Sequence, residues 1–167
     1  SVDVYETSAQ GNALKKISTV SARENPVIIK LKPEEKFQTI TGFGGSFTEA
    51  SASLLNKLSK VKRDKILQAY FGEDGARYSL TRTHINSCDF SLSNYAYAMK
   101  PDDKTLDSFS IDADRDDLIP MIKEARRISK DGFKIIASPW TAPPWMTDNN
   151  DWRGGKLLPQ YRETWAL

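Results

Sequence analysis

The stretch from Lys134 to Met146, KIIASPWTAPPWM, constrains the fold of this chain more than any other. It starts with a short apolar run around the β-branched pair Ile135 and Ile136. Such a run predicts a fully buried strand, as in a parallel sheet. Proline cannot donate to a central ladder of hydrogen bonds, so Ser138-Pro139 predicts the end of that strand.

The loop after this strand is stiff and aromatic. Pro139, Pro143 and Pro144 fix the backbone angle φ and lower the entropy lost when the loop becomes ordered. The same loop carries Trp140 and Trp145. An aromatic loop at the carboxyl end of a buried strand is typical of the binding face of an α/β barrel. From these residues alone, the alternative that both tryptophans close the top of a hydrophobic core stays open.

Composition excludes several classes of protein. The 167 residues have the length of one domain, and no apolar run approaches 18 residues, so no transmembrane segment is expected. Lys and Arg number 24 against 22 Asp and Glu without a basic block, so nucleic acid is not an expected partner. One cysteine and one histidine exclude an internal disulfide and argue against a zinc site; no metal and no cofactor are expected.

The chain opens on Ser1 without a charged and then apolar leader, which predicts either no export signal or one already removed. Val2 and Val4 alternate with other residue types, and with Val20 they predict an edge strand or two before about residue 20. Two further strands are predicted, over 26–31 and 37–41. The glycines that follow, at 42, 44 and 45, allow a tight bend or a close backbone approach.

Capping residues predict the helices. Thr48 and Ser59 are suited to start two consecutive helices, and Gly72 to end the second. A third helix is predicted over 114–130, with its apolar side chains on one stripe and Gly132 after its end. A last helix begins at about residue 161.

A polar strand is predicted over 79–87. Its alternation sends Arg82, His84 and Asn86 to one face, which suits a barrel whose interior becomes a polar site near its top. The loop over 91–112 is long, and a loop of this length in a compact domain is usually functional or disordered. Its aromatic residues favour an ordered loop that packs over a neighbouring part of the protein.

From residue 37 onward strands and helices alternate, which predicts parallel strands joined by helical crossovers. A complete (β/α)₈ barrel needs roughly 250 residues. The predicted fold class is therefore α/β, and the chain is expected to be the N-terminal part of a TIM barrel.

Four groups of residues occur in a fixed order along the chain. They are Thr41-Gly42-Phe43-Gly44-Gly45, Arg82 with Ser87-Cys88-Asp89-Phe90-Ser91, Tyr95-Ala96-Tyr97 with Pro101-Asp102-Asp103, and Ser138-Pro139-Trp140-Thr141 with Pro144-Trp145. In this order and at this spacing they resemble glycoside hydrolase family 30, and in particular its glucosylceramidase-like members. The resemblance covers nearly the whole chain after about residue 26.

The resemblance implies a (β/α)₈ barrel with a small β-sandwich side domain. Residues 1–35 would supply N-terminal strands of the sandwich, and residues 36–167 the first three βα units of the barrel. It also implies retaining hydrolysis of β-glycosides by two glutamates, the acid/base in an Asn-Glu pair after the fourth strand and the nucleophile after the seventh. The chain contains no Asn-Glu dipeptide, so both catalytic residues are expected beyond Leu167.

The residues that match the family's sugar-holding positions are Asp89, Trp140 and Arg82, with Phe90 and Trp145 as walls of the pocket. Asp89 would accept hydrogen bonds from sugar hydroxyls, Trp140 would donate its indole N–H, and Arg82 would lie near the nucleophile. The alternatives are a loop cap for Asp89, a buried ion pair for Arg82 and core packing for Trp140. His84 stands where relatives often have proline and is assigned no catalytic role.

The expected substrate is glucosylceramide or another β-glucoside, cleaved only together with the remaining C-terminal part of the barrel. An endo-β-1,6-glucanase, a non-catalytic carbohydrate-binding relative and a structural or interaction fragment are the alternatives. A secreted or periplasmic location is favoured.

Overall fold

The computed structural model describes residues 3–18 and 24–167. The chain divides into two units, Ser1–Thr39 and Ile40–Leu167. In the first unit, strand β1 (Val4–Glu6) pairs antiparallel with strand β2 (Lys15–Ile17). The strands predicted near the start of the chain are thereby confirmed, while Val2 and Val20 lie outside the described residues.

The strands predicted over 26–31 and 37–41 are wrong. Both segments are irregular and exposed, with Val27 at 91% and Phe37 at 85% of full exposure. Apolar and β-branched residues favour a strand only where a neighbouring strand can pair with them. In the part of the chain that the structure describes, neither segment has such a partner.

The barrel-type sheet instead starts at the glycine-rich segment 43–47. The carbonyl of Phe43 accepts hydrogen bonds from the backbone N–H groups of Ser79 and Leu80, and Ser46 pairs in parallel with Arg82. A Cβ atom on Gly44 would lie 1.6 Å from the carbonyl oxygen of Leu80. The glycines therefore permit a close approach of two backbones, one of the two roles predicted for them.

Strand β3 (Leu80–Ile85) lies between this segment and strand β4 (Lys134–Pro139). β3 and β4 are parallel and fully in register, with Leu80 opposite Lys134 and Ile85 opposite Pro139. Parallel strands in register end at the same edge of the sheet. The loops that follow β3 and β4 therefore start side by side, and the predicted βα repetition is confirmed.

Four helices accompany the strands: α1 (Glu49–Asn56), α2 (Lys60–Phe71), α3 (Leu118–Ile128) and α4 (Arg162–Ala166). Short 3₁₀ helices cover Asp112–Asp114, Pro144–Met146 and Pro159–Tyr161. Thr48 caps α1 as predicted, because its side chain accepts a hydrogen bond from the N–H of Ser51. Ser59 and Gly72 flank α2, also as predicted.

Helix α3 starts at Leu118, later than the predicted residue 114. Pro120 explains the difference. Proline has no N–H, so it is tolerated in the first turn of a helix but removes a hydrogen bond further along. A start at Leu118 keeps Pro120 within the first turn.

The helices pack on the sheet around a cluster of aromatic and aliphatic side chains. Phe47, from the segment beside β3, stacks on Phe71 of α2 with 5.5 Å between ring centroids. Phe133, just before β4, lies 5.2 Å from Phe71. Leu118, Met121 and Ala125 of α3 are the other buried members that the apolar stripe predicted. None of the helices in the described residues is both long enough and apolar enough to cross a membrane.

The prediction that β4 is fully buried is wrong for this chain. Ile135 is 40% exposed and Ile136 is 54% exposed. Among the described residues β4 pairs with β3 on one edge, and no strand pairs with its other edge. The strand forms as the apolar run predicted, but its other neighbours are not among these residues.

Candidate functional site

A cavity of about 330 Å³ opens where the central strands end. It is lined by Arg82, Asp89, Phe90 and Trp140 together with the segment 46–48, which directly precedes α1. We call it the strand-end cavity. Four of the five predicted substrate-binding residues therefore share one cavity, although Asp89 and Trp140 belong to loops 51 residues apart in the chain.

Asp89 is the acidic side chain of this cavity. It is exposed, and its carboxylate has no hydrogen bond or ion pair within residues 3–18 and 24–167. The backbone around it is fixed from two sides: Ser91 Oγ accepts from the N–H of Cys88 at 3.0 Å, and the carbonyl of Phe90 accepts from the N–H of Ala50 at 3.0 Å. The carboxylate is thus free to accept donors from a ligand while its loop is held.

Arg82 does not form the buried ion pair that was one alternative. Its side chain is exposed, and its Nε donates to Ser138 Oγ at 3.0 Å. Its guanidinium lies over the Trp140 ring, 4.8 Å from the centroid. A cation above an aromatic face is attracted by the ring's negative potential. Arg82 thereby connects the face of β3 to the loop after β4.

Trp140 is not packed in the core, which was the alternative for this residue. It is 43% exposed in the cavity, and its backbone N–H donates to the carbonyl of Ile85. Its indole ring therefore has one face against Arg82 and part of its surface open to a ligand.

The expected position of Trp145 in the pocket wall is not what the structure shows. Its indole N–H donates to the carbonyl of Ala98 at 2.9 Å, and its ring packs edge-on against Tyr161 at 4.9 Å. Pro144 and Met146 place it in a short 3₁₀ helix that turns it away from the strand-end cavity. Trp145 fastens the loop after β4 to the loop after β3.

The long loop after β3 is ordered by a buried carboxylate. Asp114 is 3% exposed and accepts hydrogen bonds from the hydroxyl groups of both Tyr95, at 2.6 Å, and Tyr97. Burial, followed by the hydrogen bond to Asp114, raises the pKa of each tyrosine above its ordinary value. Side chains at positions i and i+2 of an extended segment point the same way. The spacing of Tyr95 and Tyr97 is therefore the sequence signal that both hydroxyl groups can reach one partner.

The sequence did not single out Glu49, and it placed Asn86 only on the polar face of a predicted strand. Glu49, in the first turn of α1, accepts a hydrogen bond from the N–H of Leu92 and is 9% exposed. Asn86, directly after β3, connects the loops that follow β3 and β4. The three hydrogen bonds join residues at least 11 positions apart, and neither Glu49 nor Asn86 belongs to a short motif with a known role.

His84 was assigned no catalytic role, and one of its two ring nitrogens is hydrogen-bonded. Its Nδ1 lies 2.6 Å from the carbonyl oxygen of Asn86, which can only accept, so Nδ1 carries the hydrogen. The side chain is 5% exposed, and Nε2 has no hydrogen-bond partner in the described part of the chain. Over residues 3–18 and 24–167, no group of three or more His, Cys, Asp or Glu side chains is arranged to hold a metal ion.

Known proteins resemble this chain in sequence and in fold. A model of the glycosyl hydrolase family 30 TIM-barrel domain matches residues 40–166. The chain is 34% identical to the lysosomal acid glucosylceramidase of Mus musculus over 171 residues, which cover 97% of this chain and 33% of that protein. It is 31% identical to an endo-1,6-β-D-glucanase of Neurospora crassa over 126 residues, 73% of this chain and 26% of that protein.

The fold is also similar to a solved structure, SrfJ from Salmonella typhimurium. The TM-score is 0.75 at 41% identity, over 80% of this chain and 30% of that one. Residues 40–166 are therefore part of an α/β barrel. The chain spans about a third of the length of the first curated relatives that it matches.

Proposed function

Because this chain belongs to glycosyl hydrolase family 30, we propose that the protein that carries it hydrolyses β-glycosides with retention of configuration. Retaining hydrolysis uses two carboxyl groups about 5–5.5 Å apart, one as acid/base and one as nucleophile. In our proposal both are glutamates that lie beyond Leu167, and this chain supplies the residues that hold the sugar. The first 35 residues contribute strands to a β-sandwich, and residues 36–167 form the first three βα units of the barrel.

The observation that carries the proposal is the convergence of Asp89 and Trp140 on the strand-end cavity. A carboxylate that accepts sugar hydroxyls forms charge-assisted hydrogen bonds worth about 1.5–3 kcal/mol each. An indole N–H can donate to a sugar oxygen at the same time. Phe90 adds an exposed aromatic side chain to the rim.

Arg82 has a different role in this proposal. A guanidinium near a carboxylate stabilises the ionised form, which is the form a nucleophile needs. Arg82 is exposed to the cavity and fixed by Ser138 and Trp140, so a nucleophile on a later strand could meet it without a change in its position.

The substrate that we propose first is glucosylceramide or a related β-glucoside, because relatives matching at least 93% of this chain are named glucosylceramidases. An endo-β-1,6-glucanase is the second candidate. It is supported by the match to the Neurospora crassa glucanase and by the structural similarity to another endo-β-1,6-glucanase at 30% identity.

The test compares three substrates with the full-length protein: an aryl β-glucoside, glucosylceramide in detergent micelles and a soluble β-1,6-glucan. We expect turnover of the first two, with the β-anomer of glucose as the first product by NMR. Turnover of the glucan to short oligosaccharides, without glucosylceramide cleavage, would favour the second candidate. Saturable sugar binding with no turnover of any substrate would indicate a non-catalytic carbohydrate-binding protein.

A further inference from the structure

Asn86 lies between the two loops that carry the proposed sugar contacts. It directly follows β3, three positions before Asp89, and its side chain is buried at 5% exposure. The loop after β4 passes beside it with Thr141, the residue next to Trp140. Asn86 is thus a buried polar side chain that lies close in sequence to Asp89 and is hydrogen-bonded to the neighbour of Trp140.

Both ends of the Asn86 amide are used. Its Oδ1 accepts from the backbone N–H of Tyr97 at 2.9 Å, and its Nδ2 donates to the carbonyl of Thr141 at 3.2 Å. The backbone carbonyl of Asn86 in turn accepts from His84 Nδ1 at 2.6 Å. Three separate pieces of chain are therefore fixed against one residue: the end of β3, the return of the loop after β3, and the loop after β4.

The backbone at Asn86 narrows the choice of residue. Its φ is 63°, in the left-handed region that glycine and asparagine tolerate and most other residues avoid. Glycine would satisfy the backbone alone, without any side-chain contact. The asparagine thus combines a permitted backbone with a donor and an acceptor pointing at different loops.

Resting on the function proposed above, we propose that Asn86 is a positioning residue that fixes the Trp140 loop against the Asp89 loop, so that both side chains reach the same sugar. Asn86 itself is outside the residues that line the strand-end cavity, so it acts through Thr141 and not on the ligand. A shift of about 1 Å in a positioned group can cost about 100-fold in rate. We therefore expect loss of the hydrogen bond between Asn86 and Thr141 to lower the rate of turnover.

Two variants separate the parts of this role. Asn86→Gly keeps the left-handed backbone and removes both side-chain hydrogen bonds. Asn86→Asp keeps the size and the acceptor for Tyr97 but replaces the donor to Thr141 with an oxygen. The matched control is Asn150→Gly, because Asn150 also has a positive φ of 50° in the loop after β4. Its side chain is exposed and makes no hydrogen bond in the described part of the chain.

The first measurement does not depend on activity. The full-length protein is labelled with 5-fluorotryptophan, and the ¹⁹F resonance of Trp140 is assigned from Trp140→Phe. In both Asn86 variants we expect the Trp140 resonance to shift or broaden. The Trp152 resonance should not change, and thermal unfolding should remain cooperative. In Asn150→Gly we expect no change at Trp140.

The second measurement is kcat/KM on an aryl β-glucoside, for which we expect a loss of about 10- to 100-fold in both Asn86 variants and less than twofold in the control. An unchanged Trp140 resonance in Asn86→Asp overturns the proposal, and so does changed resonance at every tryptophan, which would indicate a general packing role. If the parent protein cleaves no glycoside but the Trp140 resonance still moves selectively, the function proposed above fails and the positioning role stands.

Discussion

The guanidinium carbon of Arg82 lies 4.8 Å from the centroid of the Trp140 ring, and the same guanidinium donates to Ser138 two residues before that tryptophan. One arginine on β3 therefore holds both the end of β4 and the first aromatic residue of the loop that follows. The planar group is needed for both contacts, because it can lie flat on the ring while its Nε donates sideways.

Arg82→Lys keeps the charge but loses the planar stack and the directed bond to Ser138. A cation–π contact at an exposed site and one hydrogen bond together contribute about 1–2 kcal/mol. We expect kcat/KM of the full-length protein on an aryl β-glucoside to fall about 5- to 30-fold. Arg153→Lys, a change at an exposed arginine in the loop after β4, is the control and should have no effect. Equal activity of both variants would contradict a role for the guanidinium plane.

Asp89→Asn should preserve the fold and weaken turnover. The two side chains are nearly the same size, but the amide loses the charge-assisted acceptance of sugar hydroxyls. We expect a loss of about 1.5–3 kcal/mol in transition-state stabilisation, or about 10- to 150-fold in kcat/KM. Asp74→Asn changes an exposed aspartate after α2 and serves as the control. An Asp89→Asn variant as active as this control would rule out the sugar-holding role.

Alkaline pH should loosen the loop after β3. Burial and the hydrogen bond to Asp114 raise the pKa of Tyr95 above its ordinary value of 10.0. The stabilisation is fully present below about pH 10 and is lost as pH rises from there through the higher folded-state pKa, since the unfolded chain releases its proton first. The free energy of unfolding of the full-length protein should therefore decline above pH 10.

Tyr95→Phe tests this pH dependence. It removes one of two donors to a buried carboxylate, so we expect a loss of about 1–3 kcal/mol at pH 7. The decline in unfolding free energy above pH 10 should also become shallower, because one raised pKa is gone. Tyr5→Phe, at a tyrosine 58% exposed on β1, is the control. A pH profile of Tyr95→Phe parallel to that of the parent would show that this tyrosine does not carry the effect.

Short-range sequence signals correctly predicted features that depend on neighbouring residues, such as helix ends and the buried face of a helix. Thr48 and Gly72 bound their helices as expected, and the apolar stripe of α3 faces the core. The failures concern contacts between distant segments. Val27 and Phe37 have good strand-forming neighbours but no pairing partner among the described residues, whereas the glycines before Phe47 do pair.

The candidate site shows the same division. Asp89 and Trp140 could be found because they follow strands that end at one edge of a parallel sheet, and the family resemblance named them. The contacts of Asn86 and Glu49 could not be found, because their partners are fixed by the path of two loops and not by spacing along the chain. For Asn86 the sequence predicted only the polar face of its strand. Trp145 was misplaced for a related reason: the turn that follows Pro143 directs its ring toward Tyr161.

Gly44→Ala should be strongly destabilising, while Gly45→Ala should be tolerated. A Cβ on Gly44 would lie 1.6 Å from the carbonyl oxygen of Leu80, so the segment could no longer pair with β3. A Cβ on Gly45 would approach Tyr78 at 3.4 Å, which is ordinary contact. We expect Gly44→Ala to lose more than about 2 kcal/mol in the free energy of unfolding and Gly45→Ala less than about 1 kcal/mol. Chemical denaturation of the full-length variants measures both, and similar losses would show that the close approach does not matter.

A polypeptide of residues 1–167 alone should not hydrolyse glycosides. Retaining chemistry needs two carboxyl groups about 5–5.5 Å apart, and among the described residues Asp89 is the carboxylate that lines the strand-end cavity. The adjacent acidic pairs have local roles elsewhere: Asp102 accepts from Tyr161, Asp103 accepts from the N–H of Ser108, and Asp117 accepts from Asn56.

The same polypeptide should also be poorly soluble. Ile135 and Ile136 are exposed on β4, whose second edge no described strand pairs, and such an edge invites association. We expect both solubility and activity to return when the segment that follows Leu167 in the full-length protein is co-expressed. The measurements are soluble yield and turnover of an aryl β-glucoside, with and without that segment. Turnover by residues 1–167 alone that is abolished by changing one of their own carboxylates would show that the catalytic residues have been assigned to the wrong part of the protein.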